Sequence, residues 1–322
     1  MLLAKANQIS VSPGFFMPFA PKNPFTRFPT LPTLVTLAAG GAAALAVQFY
    51  RHPSETVTEA ARISMLLRGV REETCDVDGF PIHYYRAGRR GTPLIFIHGL
   101  GASAESWVLL MPRLSKEYLV YAPDLPGFGK TPLAPEGFNI RTHVLYIRRF
   151  LDALGYPQVT LVGNSLGAWI ATRFAVEYPR RVKRLYLLNS AGLRRENGHS
   201  PYATDRAAAH RSIERIQGRR IPMRLPGFLL DAMVRVSQRP AYKGFIDNYD
   251  PQEELDSVLA QVQVPTTIIW GMQDGLFPIT CAHDFHSGIT NSELILLPGV
   301  GHVPQTQATA EVARVILEDR GK

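Results

Sequence analysis

The chain has 322 residues, 46% of them hydrophobic, enough for one large core without requiring a second catalytic domain. Its formal charge is +8, but the basic residues are scattered, aromatics do not interleave with them and no nucleic-acid motif occurs. That pattern argues against a nucleic-acid partner and makes an anionic membrane surface the better match. Two cysteines, Cys75 and Cys281, are too few for a disulfide framework and lie in no metal-ligand spacing, so no metal site is expected.

Residues 1–30 hold five prolines and five phenylalanines among scattered polar residues, which reads as an irregular leader. Leu31 to Tyr50 contains no charge and, as a helix, would span about 30 Å, the thickness of a hydrocarbon core. Three readings stand beside one another for 31–50: a membrane anchor, a cleaved signal segment with Ala44-Leu45-Ala46 as the small-residue site, or an Ala-rich helix packed on the domain. The first places the protein at a membrane, and the second makes it secreted or periplasmic. Ser54 to Val70 has helical apolar spacing, with Glu55 and Glu59 early and Arg62 and Arg68 later, so 51–75 is expected to be an amphipathic linker helix.

The folded domain is expected from Asp76, where Asp78-Gly79 separates β-prone runs and Phe80 to Arg86 suits one strand of a hairpin. Pro93 to Ile97 is a continuous apolar strand ending in His98-Gly-Leu-Gly101. Small residues after a strand expose backbone N–H groups, and the Leu100 N–H is the expected oxyanion donor. His98 is read as holding this loop, and Trp107, at the start of a helix from Ser106 to Leu114, as lining a pocket. Leu119 to Ala122 is the next strand. Asp124 in the following Asp-Leu-Pro-Gly-Phe-Gly129 loop is read as a bracing carboxylate, and Arg141 to Leu154 as an amphipathic helix.

Val159 to Ala171 organises the rest. Val159, Leu161 and Val162 form an apolar run, spacing turns helical from Leu166, and Gly163-Asn-Ser-Leu-Gly167 joins strand to helix as a G-x-S-x-G elbow. Glycines two positions either side of Ser165 let the two backbones approach closely and lift its hydroxyl above the sheet. The Leu166 N–H, at the helix start, has no intrahelical partner and is available to an oxyanion, and Asn164 joins the pocket. Val182 to Asn189 is a further strand. Residues 193–260 lose the rhythm and read as a helical cap, with Pro222, Leu225, Phe228, Leu230 and Met233 among its candidate channel residues. Val264 to Trp270 and Leu294 to Leu297 restore the alternation, and a helix closes the chain near Asp319.

Ser165, Asp274 and His302 stand in that order, each just past a strand end. A serine hydroxyl needs a base, and the base needs a partner that fixes its tautomer. Of nine histidines, only His302 follows a glycine-rich loop after the last strand. Alternating strands and helices imply a largely parallel sheet covered on both faces, an α/β architecture.

With H-G-L-G (98–101), G-N-S-L-G (163–167), W-G-M-Q-D (270–274) and G-V-G-H-V-P (299–304) in this order, the chain resembles the α/β-hydrolase family. Within it the chain is similar to bacterial lipases and membrane-anchored monoacylglycerol lipases. The resemblance covers 76–192 and 261–322 and implies a mostly parallel eight-stranded sheet with an inserted helical cap at 193–260. It further implies a Ser165–Asp274–His302 triad, an oxyanion hole from Leu100 and Leu166, no cofactor, and cleavage of lipid or other small carboxylic esters through an acyl-enzyme. Two alternatives remain: a carbon–carbon bond hydrolase of ring-cleavage diketones, whose relatives share the G-N-S-x-G elbow, and a non-catalytic ligand-binding member of the fold. One departure is visible: relatives often carry an acidic residue in the pattern G-H-x-P-x-x-E, where this chain has Gln305-Thr-Gln-Ala308.

Overall fold

Asp78 and Gly79 both adopt positive φ, 55° and 83°, so the chain reverses within two residues. This turn folds β1 (Arg71–Val77) antiparallel onto β2 (Phe80–Ala87). The structure, a computed structural model, describes residues 42–195, 203–219 and 225–319. The strand begins inside the stretch expected to be a linker helix over 51–75, because the helix there ends at Leu67 (Pro53–Leu67). Charge concealed the strand: Glu72 pairs with Arg62 at 2.9 Å and lies 2.9 Å from His83, while Glu73 accepts from the Tyr84 hydroxyl at 2.6 Å. An edge strand tolerates such charges, since they discourage pairing with another chain.

Six further strands follow: β3 (Thr92–Ile97), β4 (Tyr118–Pro123), β5 (Val159–Asn164), β6 (Val182–Leu188), β7 (Thr266–Gly271) and β8 (Ser292–Leu297). The sheet order is β1-β2-β4-β3-β5-β6-β7-β8, with β2–β4 antiparallel and every pair from β4 through β8 parallel. Winding runs from β3 outward to β4, then crosses back so that β5 lies on the other side of β3. Adjacent parallel strands whose connections leave in opposite directions open a crevice at their carboxyl ends, where α/β sheets place their sites.

Side-chain alternation divides the core. Ile95, Leu161, Leu187 and Ile268 face one side and pack against the helices Ile140–Ala153, Leu166–Glu177 and Ile279–Gly288. Phe96, Val162, Tyr186 and Ile269 face the other, with Met111 and the helix Thr309–Glu318. Both sheet faces are therefore dry, as a parallel sheet requires. The helix from Ile140 starts where Asn139 Oδ1 accepts the Thr142 N–H at 2.8 Å, an N-cap.

Between β6 and β7 the described elements are helical: Arg206–Gln217, Gly227–Ser237 and Pro240–Asp247, followed by two short 3₁₀ turns. The helix expected over Ser106 to Leu114 is instead a 3₁₀ turn (Ala104–Trp107) and a single helical turn (Met111–Leu114), with Pro112 in its first positions. Proline suits a first turn but cannot donate within a continuous helix.

The chain divides into two units, Met1–Ala46 and Val47–Lys322. Of the first, the leader at 1–30 and residues 31–41 of the apolar run lie outside the described residues, and 42–46 are helical. Among the described residues no helix is long and apolar enough to cross a membrane, so the anchor expectation gains no support from them.

Candidate active site

The two strands flanking the crevice, β3 and β5, each end in one half of the site. β5 runs into Ser165, held at φ 57° and ψ −119°, a conformation that L-residues avoid. It persists because its surroundings over-determine it. The Ser165 N–H donates to the Leu188 carbonyl at 3.0 Å, and its carbonyl accepts from Ala168, Trp169 and Ala191 N–H groups. A Cβ at Gly163 would collide with the Gly167 carbonyl and Ala168 backbone, and one at Gly167 with the Ile97 carbonyl. The two glycines thus let strand, helix and β3 meet around the serine.

The loop after β3 is clamped from beneath. His98 is fully buried, its Nε2 accepts the Leu125 N–H at 3.0 Å, and Nδ1 therefore carries the proton and donates to the Gly99 carbonyl at 2.9 Å. Burial pulls its pKa below the ordinary histidine value, which keeps the ring neutral in this role. Asp124 braces the same loop: its carboxylate accepts from Ala104 N–H at 2.8 Å, Lys130 N–H at 2.9 Å and the His83 ring at 2.7 Å. Among the described hydrogen bonds, neither the Leu100 nor the Leu166 N–H has an acceptor, and both residues line the same cavity as Ser165.

β7 and β8 supply the other two groups. His302 Nδ1 donates to Asp274 Oδ2 at 2.7 Å, and both side chains are almost wholly buried. Asp274 Oδ1 accepts from the Leu276 and Phe277 N–H groups at 2.8 and 3.0 Å, and Asn189 Nδ2 donates to Oδ2 at 2.7 Å. A carboxylate held by so many donors is fixed in orientation, and it fixes the imidazole ring in turn. Asn189 sits at φ 41° just past β6, and its own oxygen takes the Gly271 N–H at 3.0 Å. The His302 backbone is tied down as well, its N–H donating to Ile216 and its carbonyl accepting from Asn164 Nδ2 at 3.1 Å.

Ser165 and His302 line one cavity of about 800 Å³. Its walls are mostly apolar or aromatic, including Trp169, Met233, Tyr242, Phe245 and Phe277. Such a volume suits an organic ligand held by a few polar groups. Among the described residues no cluster of His, Cys, Asp or Glu could hold a metal ion.

The expected site residues fall into two groups. Ser165, His302, Leu100, Leu166 and Asn164 line the cavity, and Asp274 lies behind His302. His98 and Trp107 do not line it. Trp107 is fully buried in the opposite core layer, stacked on Phe96 with ring centroids 4.6 Å apart, because the turn at 104–107 faces that layer. Of the channel residues expected from the 193–260 segment, Met233 is a cavity residue. Leu225 and Leu230 pack into a small cluster with Ala203 and Ala209, Phe228 packs on Phe49 and Tyr50, and Pro222 lies outside the described residues.

Residues to which the sequence assigned no role complete the frame. Asn189 could have been noticed as an amide closing a buried strand, where it must find partners. Gln307 stands where relatives carry the acidic residue; its oxygen accepts the Gly301 N–H at 2.8 Å and its amide reaches Gln217, bracing the histidine loop without a charge. Gln305 donates to Asn164 Oδ1 at 3.0 Å.

Residues 92–234 match the family described as alpha/beta hydrolase fold, and the sheet order and the elbow above have that fold. A 2-hydroxy-6-oxononadienedioate/2-hydroxy-6-oxononatrienedioate hydrolase from Pseudomonas putida is 26% identical over 274 residues, 77% of this chain and 93% of that protein. Among solved structures, a membrane phospholipase A, described as a bacterial virulence factor, superposes with a TM-score of 0.72 at 23% identity, covering 90% of this chain and 98% of that one. A meta-cleavage product hydrolase from Pseudomonas fluorescens gives 0.65 at 27% identity, covering 76% and 96%.

Proposed function

We propose that the chain is a serine hydrolase of carboxylic esters, with acylglycerol-like lipid esters as its substrate class. The supporting observation is the pairing of a strained, half-buried elbow serine that lines the cavity with a buried His302–Asp274 couple around one largely apolar chamber. With Nδ1 donating to Asp274, the other imidazole nitrogen is unprotonated and free to take the Ser165 proton. Ser165 Oγ attacks the ester carbonyl, the Leu100 and Leu166 N–H groups receive the oxyanion, and His302 returns the proton to the departing alcohol. Water, activated by the same imidazole, then releases the acid from the acyl-enzyme. The apolar wall accommodates an acyl chain. The same reading puts the enzyme at a membrane surface, where such esters reside, and co-sedimentation of the full chain with anionic vesicles tests that part.

A second reading draws on the ring-cleavage hydrolases at 26% and 27% identity. The same three side chains could serve carbon–carbon bond hydrolysis of a diketone. Purified protein and its Ser165→Ala variant, assayed on p-nitrophenyl esters of increasing chain length and on a ring-cleavage diketone, separate the two. Ester turnover that peaks at one chain length and vanishes in the variant supports the ester reading. Diketone turnover without ester turnover replaces it, and inactivity of folded protein on both favours a binding role.

A further inference from the structure

Arg194 and Arg195 follow one another at the edge of the cavity and differ sharply in their surroundings. Arg194 is paired with Glu254 at 2.8 Å and points to solvent, and Glu254 also takes the Tyr249 hydroxyl. That pairing consumes the acidic group among the described cavity-lining residues. Arg195 lines the cavity, and among the described residues no carboxylate forms an ion pair with it. Its guanidinium lies 4.2 Å above the Phe277 ring and donates through Nη1 to the Leu276 carbonyl. Phe277 in turn sits 5.3 Å, centroid to centroid, from the His302 ring, so one phenyl separates the cation from the imidazole.

We propose that Arg195 forms an anion-binding subsite of this cavity, selecting esters that carry a carboxylate or phosphate group away from the scissile carbonyl. The inference rests on the ester-hydrolase reading for the reaction, though not for the binding. Five N–H donors in a planar fork are more than one carbonyl can satisfy, and the fork matches two oxygens of a carboxylate or phosphate. Among the described residues this half-buried cation has no ion-pair partner, which is costly in a largely apolar chamber, and an anionic ligand would relieve that cost. Burial lowers the Arg195 pKa, in keeping with a desolvated cation, while Arg194 is raised by Glu254. Stacking on Phe277 fixes the guanidinium plane without neutralising it.

The anion could reside on the acyl side or on the alcohol side, and two matched pairs distinguish these. One compares p-nitrophenyl octanoate with the p-nitrophenyl monoester of octanedioic acid. The other compares monooleoylglycerol with its phosphate monoester. For each pair the readout is the ratio of kcat/KM, anionic over neutral. In the Arg195→Gln variant that ratio should fall about tenfold or more in one pair, chiefly through KM, with Arg195→Lys between variant and wild type. A purely structural role, propping the Leu276–Phe277 segment behind Asp274, would lower both members together, and an unchanged ratio in both pairs overturns the proposal. Binding is tested apart from turnover in Ser165→Ala protein, where Trp169 in the cavity wall reports occupancy by fluorescence. Octanedioate should bind more tightly than octanediol, and adding Arg195→Gln should remove that preference. Equal affinities before the second substitution also overturn the proposal. Ester turnover that persists in Ser165→Ala would instead fail the parent reading and leave the binding result to stand.

Discussion

Among the described residues, two buried histidine–aspartate pairs share the same length. His302–Asp274 and His83–Asp124 both hold Nδ1 2.7 Å from a fully buried carboxylate. They differ at the second nitrogen. His83 Nε2 meets Glu72 at 2.9 Å, so this imidazole is closed between two acids. His302 lines the cavity, and among the described residues its Nε2 has no partner. A couple closed at both ends is a brace, and one open at a cavity has a proton-transfer site left. Distance alone therefore does not mark a catalytic pair. What the outer nitrogen faces does.

Substitutions sharpen that contrast. The largest effect belongs to Ser165→Ala, which should lower ester turnover by several orders of magnitude with little change in thermal midpoint, since triad groups act as a unit. Asp274→Asn comes next, cutting kcat by roughly a thousandfold or more through the wrong imidazole tautomer. Asp124→Asn should reverse the balance. It weakens bonds to Ala104, Lys130 and His83, costing about 3 kcal/mol in a urea titration while kcat/KM falls far less. Equal activity losses for the two Asp→Asn variants would erase the distinction between base and brace. Gly163→Ala is expected to destabilise by about 3 kcal/mol in the same titration, because its Cβ meets backbone rather than a side chain that can move aside.

The smallest effect is a pH dependence. Burial alone would lower the His83 pKa, but the Asp124 and Glu72 hydrogen bonds and charges outweigh it and raise the value in the folded state. A raised histidine stabilises the fold fully below its unfolded pKa, about 6.5, and loses that contribution as pH rises through the folded value. The stability gap between wild type and His83→Asn should therefore be widest in acid and narrow towards alkaline pH. A gap that widens with pH would contradict the charged brace.

Parts of this arrangement were legible in the sequence because they depend on local spacing. The apolar runs of β3 and β5, the glycines around Ser165 and the chain order of Ser165, Asp274 and His302 needed no tertiary information. Others depend on partners distant in the chain. β1 was hidden because Glu72 and Glu73 are compensated by Arg62, His83 and Tyr84, which a window of neighbours does not reveal. Trp107 was misplaced because its distance from the elbow in sequence says nothing of which sheet face the 104–107 turn covers. The departure at Gln307 was visible, but its role and that of Asn189 went unread because their worth lies in single hydrogen bonds, to Gly301 and Asp274. The cavity wall between β6 and β7 was the least legible, since any apolar helix residue there suits a core or a channel equally well.

The central claim is that Ser165 is an activated nucleophile. Labelling of the purified full chain with a fluorophosphonate probe, beside Ser165→Ala, tests it most directly, with the modified residue identified by peptide mass. The account predicts near-stoichiometric modification at Ser165 and none in the variant. Folded wild-type protein that remains unlabelled, or that is labelled at another residue, would contradict it.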